Sequence, residues 1–486
     1  MDPAIYTTTQ RLAFHASGQP HVRAITDGAI DCSYHRLAMH VVQMVEALTV
    51  LGIRCGQVVG VEAGDRFLHL LLLLACEAMG AATMSLSPFE LAPEMDLGRF
   101  CDRILTMGTP AGADAGKVFV LTHDWLVQVL RAPVDDDQFG ALTQQIDPDS
   151  LVRLIKSSGT TGAPKVMGMT YRVQQRTIRN NLLHAAAHVG LRPMFLCCYP
   201  FSLRGAHSRA LLTLQLGGTI HFAAMEAAAE VIMAGEINYA LFVTGDLEKF
   251  VLIPSLKGGP FAVHLDVIGA AVPARLLRET GRILSERILV TYGANEVHHI
   301  SAVGVDGVGT LFPGVGAMIV DERGAAVPPG ETGLIRVRSD TMTDGYLDAP
   351  ALTAAAFLDG WYHTNDLGFQ PSPGTLVVLG RADGMLNVGG MKVPPGPVEE
   401  QIKAVDGLLD AVVTNVVNAK GIEVLLVAVE TGSGSDRSGL EAAINPIIQR
   451  YASRYVLLAL AEFPRTETRK IRLDAVRAAY ASRHCH

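Results

Sequence analysis

Leu151-Val152-Arg153-Leu154-Ile155 runs directly into Lys156-Ser157-Ser158-Gly159-Thr160-Thr161-Gly162-Ala163-Pro164-Lys165. The first five residues read as a strand. Gly159 and Gly162 permit positive φ and close backbone approach, which exposes amide N–H groups to an anion. Ser157, Ser158, Thr160 and Thr161 add hydroxyl donors, and Lys165 adds charge. A Walker A loop is excluded, because Lys165 follows Pro164 and the glycine-lysine-hydroxyl junction is missing. The plainer reading is an exposed turn. Four hydroxyls, two glycines and a lysine within nine residues favour an anion cradle instead.

A second signal lies far downstream. Lys470 sits in Pro464-Arg465-Thr466-Glu467-Thr468-Arg469-Lys470-Ile471, sixteen residues before the end of the sequence. Joining a carboxylate to a phosphate brings two anions together, and a movable cation offsets their repulsion. The plainer reading of Lys470 is a tail lysine on a basic face with Arg465, Arg469 and Arg472.

Around the loop, strand and helix patterns alternate. His35 to Leu51 has apolar residues at helical spacing, Val58-Val59-Gly60-Val61 reads as a strand, Phe67 to Met79 as a buried helix and Lys117 to Leu121 as a strand. Further strands are expected at Phe195–Tyr199, Ala240–Val243, Val263–Ile268 and Ile288–Tyr292. This predicts α/β layers with much parallel sheet. From Val303 to Leu379, short strands and turns such as Val327-Pro328-Pro329-Gly330 predict a β-rich subdomain. Gly380-Arg381-Ala382-Asp383-Gly384 breaks the pattern. Beyond it, Ala411–Val417 and Val424–Val429 read as strands, Gly432–Gly439 as a loose loop and Leu440–Gln449 as a helix. The expected organisation is α/β: a large N-terminal multi-subdomain α/β domain over residues 1–382 and a small mobile C-terminal α+β domain over residues 383–486, hinged at Asp383.

Composition sets bounds. With 486 residues, 49% hydrophobic and 18% charged, the chain has enough apolar material for more than one core. A net charge of −8 argues against broad attraction to nucleic acid or anionic membrane. Seven irregularly spaced cysteines (Cys32, Cys55, Cys76, Cys101, Cys197, Cys198, Cys485) predict reduced core thiols, with no disulfide framework or metal knuckle. Met1-Asp2-Pro3 opens no signal peptide, and Leu70 to Cys76 is too short to span a bilayer, so a cytoplasmic protein is expected.

The loop resembles the phosphate-binding signature of the adenylate-forming superfamily, which includes acyl- and aryl-CoA synthetases, nonribosomal adenylation domains and luciferases. Further segments resemble that family's motifs in its order: Ile268-Gly269-Ala270-Ala271-Val272-Pro273, Tyr292-Gly293-Ala294-Asn295-Glu296, Gly360 to Gly368 with Asp366, Gly380-Arg381-Ala382-Asp383 with Asn387 to Lys392, and Pro464 to Lys470. The resemblance spans about Tyr34 to Asp474 and rests on six motifs in sequence.

The resemblance implies ATP and Mg²⁺ as cofactors, and CoA or phosphopantetheine as acceptor. Ser157, Ser158, Gly159, Thr160, Thr161, Gly162 and Lys165 would surround the phosphates, Thr160 acting in catalysis. Gly269, Ala270 and Ala271 would edge the adenine pocket; Tyr292 would stack on the base, with Gly293, Ala294 and Asn295 beside it. Asp366 would accept from the ribose hydroxyls near Arg381, and Glu296 would hold Mg²⁺ through carboxylate oxygen. Lys470 would bridge the substrate carboxylate and the α-phosphate. Swinging about Asp383 would then present the loop ending at Lys392, where Gly389-Gly390 lets a thiol approach.

Departures from the family pattern are Asn295 for Thr, Asn365 for Gly before Asp366, Arg469 for Gly before the lysine, and Val166 for Gly after Lys165. Tyr199, Phe201, Ser202, Arg204, His207, Gly269 and His298 are the expected acid-pocket residues. Ser202 stands where amino-acid-activating members carry an Asp, so an α-amino acid would lack a counter-charge. Arg204, His207, Arg209, His298 and His299 either hold a polar group of the substrate or are exposed helix-start residues. The leading expectation is adenylation of an aromatic or other non-amino carboxylic acid, followed by transfer to a thiol of CoA or of a carrier protein supplied in trans. Two alternatives are an adenylate-forming enzyme with an amine acceptor or a small oxyanion such as nitrite, and a non-catalytic adenylate-binding protein.

Overall fold

The computed structural model describes residues 6–28, 30–93, 95–108, 114–157, 164–190, 192–382, 386–388, 391–393, 395–417, 423–431, 437–450, 455–466 and 470–484. The expected strand forms as Leu151–Lys156, and its four central residues are buried. It is the last parallel member of a six-stranded sheet, beside Ala82–Ser85, Val58–Glu62, Arg103–Thr106 and Val118–Val120. The chain then returns antiparallel as Val166–Thr170, with Lys156 opposite Val166. The glycine-rich segment therefore joins two antiparallel strands.

A second, larger sheet carries the rest of the N-terminal part. Arg23–Thr26, Thr219–Phe222, Met194–Cys197, Tyr239–Val243, His264–Ile268 and Arg287–Ala294 lie side by side and parallel. Helices cross between them, as the alternating pattern requires. Arg66–Ala78 is buried from Leu68 to Ala78, and Asp65 caps it by accepting from Leu68 N. Among the described residues, no helix is long and apolar enough to cross a membrane. The sheet then turns antiparallel through His298–Val303, Gly309–Leu311, Thr375–Arg381, Trp361–Phe369, Gly333–Arg338 and Gly316–Val320, the β-rich stretch expected from its Gly/Pro turns.

The C-terminal residues build their own core. Leu408–Val417 and Glu423–Thr431 pair antiparallel, Tyr455–Leu460 adds in parallel, and Val398, Ile402, Val427, Ile444 and Ile448 are buried on one side of this small sheet. Two exposed ion pairs tie it to the larger part: Lys249 Nζ to Glu462 Oε1 at 3.2 Å, and Arg275 Nη1 to Asp406 Oδ1 at 3.3 Å.

Three local expectations need correction. The break expected at Gly380 falls later, because Gly380 and Arg381 remain in the strand Thr375–Arg381, with Arg381 paired opposite Asp366. The loose loop expected up to Gly439 ends earlier, since the last helix but one starts at Arg437 and runs to Ile448. Cys55 is exposed, whereas the other described cysteines are buried as core thiols. Asp383 and Gly384, along with Gly389 and Gly390, lie outside the described residues.

Candidate active site

The parallel strands of both sheets deliver the site residues at their C-terminal ends, where open α/β sheets place ligands. Ser157 follows Leu151–Lys156, Tyr199 follows Met194–Cys197, Gly269 follows His264–Ile268, and Glu296 follows Arg287–Ala294. Ser158, Gly159, Thr160, Thr161 and Gly162 lie outside the described residues, so only the base of the loop can be traced. That base is closed: Ser157 N donates to Lys165 O at 2.8 Å, and Lys165 N donates to Ser157 Oγ at 3.3 Å. Lys156 Nζ is paired with Glu90, which accounts for that lysine without a ligand.

Asn295, a departure from the family pattern, has a structural task. Its side-chain amide donates to Lys156 O at 2.7 Å and ties the turn after Arg287–Ala294 to the strand end that opens the loop. Gly293, in the strand leading into that turn, has no room for a side chain, since a Cβ there would meet His298 O at 2.3 Å. Glu296 is buried, and its carboxylate Oε1 accepts from the Tyr346 hydroxyl at 3.0 Å. Burial, reinforced by the Glu296 charge, holds the Tyr362 phenol protonated well above its ordinary range. The Lys165 ammonium lies 4.8 Å from the centroid of the Tyr346 ring, a cation–π contact. Neither tyrosine was distinguishable in the sequence, although Tyr362 falls inside the Gly360–Gly368 motif and Tyr346 follows a glycine.

Asp366 and Arg381 face each other across adjacent strands, with Arg381 Nη1 3.6 Å from Asp366 Oδ1. The Tyr292 hydroxyl donates to Asp366 Oδ2. Burial, reinforced by the Asp366 charge, holds the Tyr292 phenol protonated well above its ordinary range. Asn365, another departure, adopts φ 59°, the left-handed region where glycine is free and asparagine is the best-tolerated substitute. Asn365→Gly is therefore expected to leave stability nearly unchanged, while Asn365→Val should cost about 1–2 kcal/mol in urea denaturation.

Lys470 completes the group. The bridge between Arg465 and Ile471 fixes the turn that carries it, with Thr466 N donating to Lys470 O at 2.8 Å. Arg465 anchors the turn to Asp410 at 2.7 Å and Glu430 at 2.8 Å. Lys470 is exposed. Nearby protein and the Arg381 charge lower its pKa, while Glu296 and Asp366 act in the opposite sense. A lysine from the end of the chain thus shares one electrostatic field with the candidate metal carboxylate and the candidate ribose carboxylate. Arg469 lies outside the described residues, and so does the side chain of Lys392, whose backbone belongs to the short strand Met391–Val393.

The structure places the expected acid-pocket residues as follows. The Tyr199 hydroxyl donates to Asp246 Oδ2 at 2.9 Å and accepts from Val243 N at 3.1 Å. Phe201 is fully buried, edge-on to His69, His207 and Phe222. Ser202 is exposed, as are Gly269, Ala270 and Ala271. Gly269 has φ 101°, and Ala270 O accepts from Thr244 Oγ1 at 3.0 Å. The exposed-helix-start reading of the basic residues is wrong: Arg204, His207, Arg209, His298 and His299 are all buried. Arg204 donates to Asn295 O and to Thr177 Oγ1 at 3.3 Å. Burial, then the Arg153 charge, pushes His207 well below its ordinary pKa, so its ring is neutral. Arg209 is held by Asp266 at 2.6 Å and reaches His299 Nε2 at 3.3 Å, which stacks on His298 with ring centroids 3.9 Å apart.

A family profile described as AMP-binding enzyme matches residues 12–347. The chain belongs to the AMP-binding enzyme family. Among curated relatives, it is 26% identical to the indoleacetate–CoA ligase of Aromatoleum aromaticum, covering 96% of this chain and 97% of that protein. It is 25% identical to a 4-chlorobenzoate–CoA ligase of Arthrobacter, covering 87% of this chain and 85% of that one. ATP-bound MatB from Rhodopseudomonas palustris shares the fold, with a TM-score of 0.80 at 21% identity over 98% of both chains. That likeness extends over nearly the whole chain and agrees with the α/β fold expected from the alternation of strands and helices.

Proposed function

We propose that this protein is an AMP-forming acid–thiol ligase acting on an aromatic or other non-amino carboxylic acid. The observation that carries this reading is the position of Lys470, within electrostatic reach of both Glu296 and Asp366. In the first half-reaction a substrate carboxylate oxygen attacks the α-phosphate of ATP and pyrophosphate leaves. Lys470 offsets the charge gathering between the two anions. Asp366 and Tyr292 hold the nucleoside, and Ser157 and Lys165 stand at the base of the phosphate loop. In the second half-reaction a thiolate attacks the acyl carbonyl and AMP leaves.

Glu296 fits Mg²⁺, which takes one or two carboxylates and completes its shell from phosphates and water. Its carboxylate is buried, held by the Tyr346 hydroxyl, and within reach of the Lys470 charge. Bound there, the cation would neutralise charge on the phosphates. CoA is the acceptor favoured by the relatives' printed activities, and a carrier-protein phosphopantetheine offers the same thiol chemistry. Indoleacetate and 4-chlorobenzoate, named for those relatives, support an aromatic acid here. Dependence on ATP and CoA fits a cytoplasmic setting. Nothing in the site favours an amine acceptor or a small oxyanion.

The test is a mixture of protein, ATP-Mg²⁺ and hydroxylamine with a panel of acids. Aryl and arylacetic acids are expected to give hydroxamate, and α-amino acids none. Silence across the whole panel, with ATP still bound, would favour the adenylate-binding alternative. Adding CoA in place of hydroxylamine should give the acyl-CoA.

A further inference from the structure

Tyr346 lies fifty residues beyond Glu296 in sequence yet touches both charge-bearing groups of the nucleotide end of the site. Its hydroxyl donates to Glu296 Oε1 at 3.0 Å, within ordinary hydrogen-bond geometry. Its ring carries the Lys165 ammonium at 4.8 Å. The rest of the residue is locked from several directions. Its N–H donates to Thr353 Oγ1 at 2.9 Å, and its ring meets Phe357 edge-on with centroids 5.5 Å apart. Its backbone bridges to Met167, and the next residue, Leu347, donates to Val166 O at 2.8 Å. Val166 and Met167 are the first residues after the phosphate loop and Lys165. Gly345 is also fitted to this contact, since a Cβ there would meet Thr353 Cγ2 at 2.3 Å. Tyr346 is thus pinned to the exit of the loop by its backbone and to Glu296 by its side chain.

We propose that Tyr346 is a positioning residue for adenylation, setting the separation and orientation of the Glu296 carboxylate and the Lys165 ammonium around the bound polyphosphate. The proposal rests on the ligase reading of the site. A carboxylate held by a hydroxyl at one oxygen presents the other in a fixed direction. A lysine parked on an aromatic face has fewer rotamers to lose when it meets phosphate. Tyr346→Phe removes only the hydroxyl contact. Tyr346→Leu removes the ring surface as well.

The experiment is an electron paramagnetic resonance titration of Mn²⁺ into the protein with a non-hydrolysable ATP analogue, which needs neither turnover nor the identity of the acid. Tyr346→Phe is expected to weaken Mn²⁺ binding about tenfold, with little change in analogue affinity measured without metal. Tyr346→Leu is expected to weaken metal-free analogue binding as well, by about threefold. The same Tyr346→Phe change in a Glu296→Gln background should have no further effect on Mn²⁺, an outcome that a merely structural tyrosine would not give. Equal Mn²⁺ affinity in wild type and Tyr346→Phe, both folded by circular dichroism, would overturn the proposal and leave the ligase reading standing. Failure of the wild type to bind the analogue at all would overturn both.

Discussion

Replacing Lys470 with alanine is expected to lower acyl-adenylate formation about a hundred- to a thousandfold while leaving ATP affinity nearly unchanged. The asymmetry follows from where the lysine is held. Its turn is fastened to the C-terminal sheet through Arg465, Asp410 and Glu430, and none of the groups assigned to the nucleoside belongs to that sheet. On the proposed reading, binding would depend on Asp366, Tyr292 and the loop, whereas Lys470 would matter when two anions are forced together. Acid-dependent pyrophosphate release gives the rate, and calorimetry with an ATP analogue gives the affinity. Undiminished pyrophosphate release in Lys470→Ala would remove the lysine from the chemistry. A parallel loss of rate and affinity would make it a binding residue.

The second large effect concerns stability. Asp266→Asn is expected to destabilise the protein by about 3–5 kcal/mol, because it leaves a fully buried guanidinium without its carboxylate. Asp266 accepts from Arg209 Nε at 2.6 Å and from Tyr239 at 2.6 Å, with His264 Nε2 3.1 Å away. Burial alone would raise its pKa, yet Arg209, His264 and Tyr239 together hold the carboxyl well below the usual range. The network fastens the helix Arg204–Gln215 to the strands Tyr239–Val243 and His264–Ile268. Urea unfolding followed by circular dichroism reads the loss. A change below about 1 kcal/mol would show that the pair is not what secures this helix. The Asp266 partner gives Arg209 a structural role in place of the expected contact with a polar group of the substrate.

Part of this was legible in the chain because several motifs sit at or near strand ends, where apolar runs give way to glycine. His264–Ile268 runs directly into Gly269, Leu151–Lys156 reaches Gly159 three residues later, and Gly293 is the penultimate residue of Arg287–Ala294, so these strands are readable from the sequence. Asn365 was also half-readable, as a residue standing where the family has glycine; asparagine tolerates positive φ, and the structure gives it φ 59°. Contacts across long sequence separations were not readable. Asn295 looks like an erosion of the motif until its bond to Lys156 O, 139 residues earlier, explains it. Burial of Arg204, His207 and Arg209 was hidden because helical charge patterns read as solvated faces unless the covering layers are known. Tyr346 carried no local mark, since its partners come from two other parts of the chain.

The antiparallel return from Lys156 to Val166 has one more consequence. After the loop the chain becomes another strand, and a helix begins only at Tyr171. Among the described residues the exit of the loop is therefore a strand, so an anion held there would lack the aligned peptide dipoles of nucleotide loops that open directly onto a helix. On the proposed reading the attraction would come from side-chain cations, Lys470 among them, and a bound metal. Such a potential can be assembled for one bond-making step and dismantled for the next. On that reading it would give pyrophosphate and AMP a way out of a site that must first hold them.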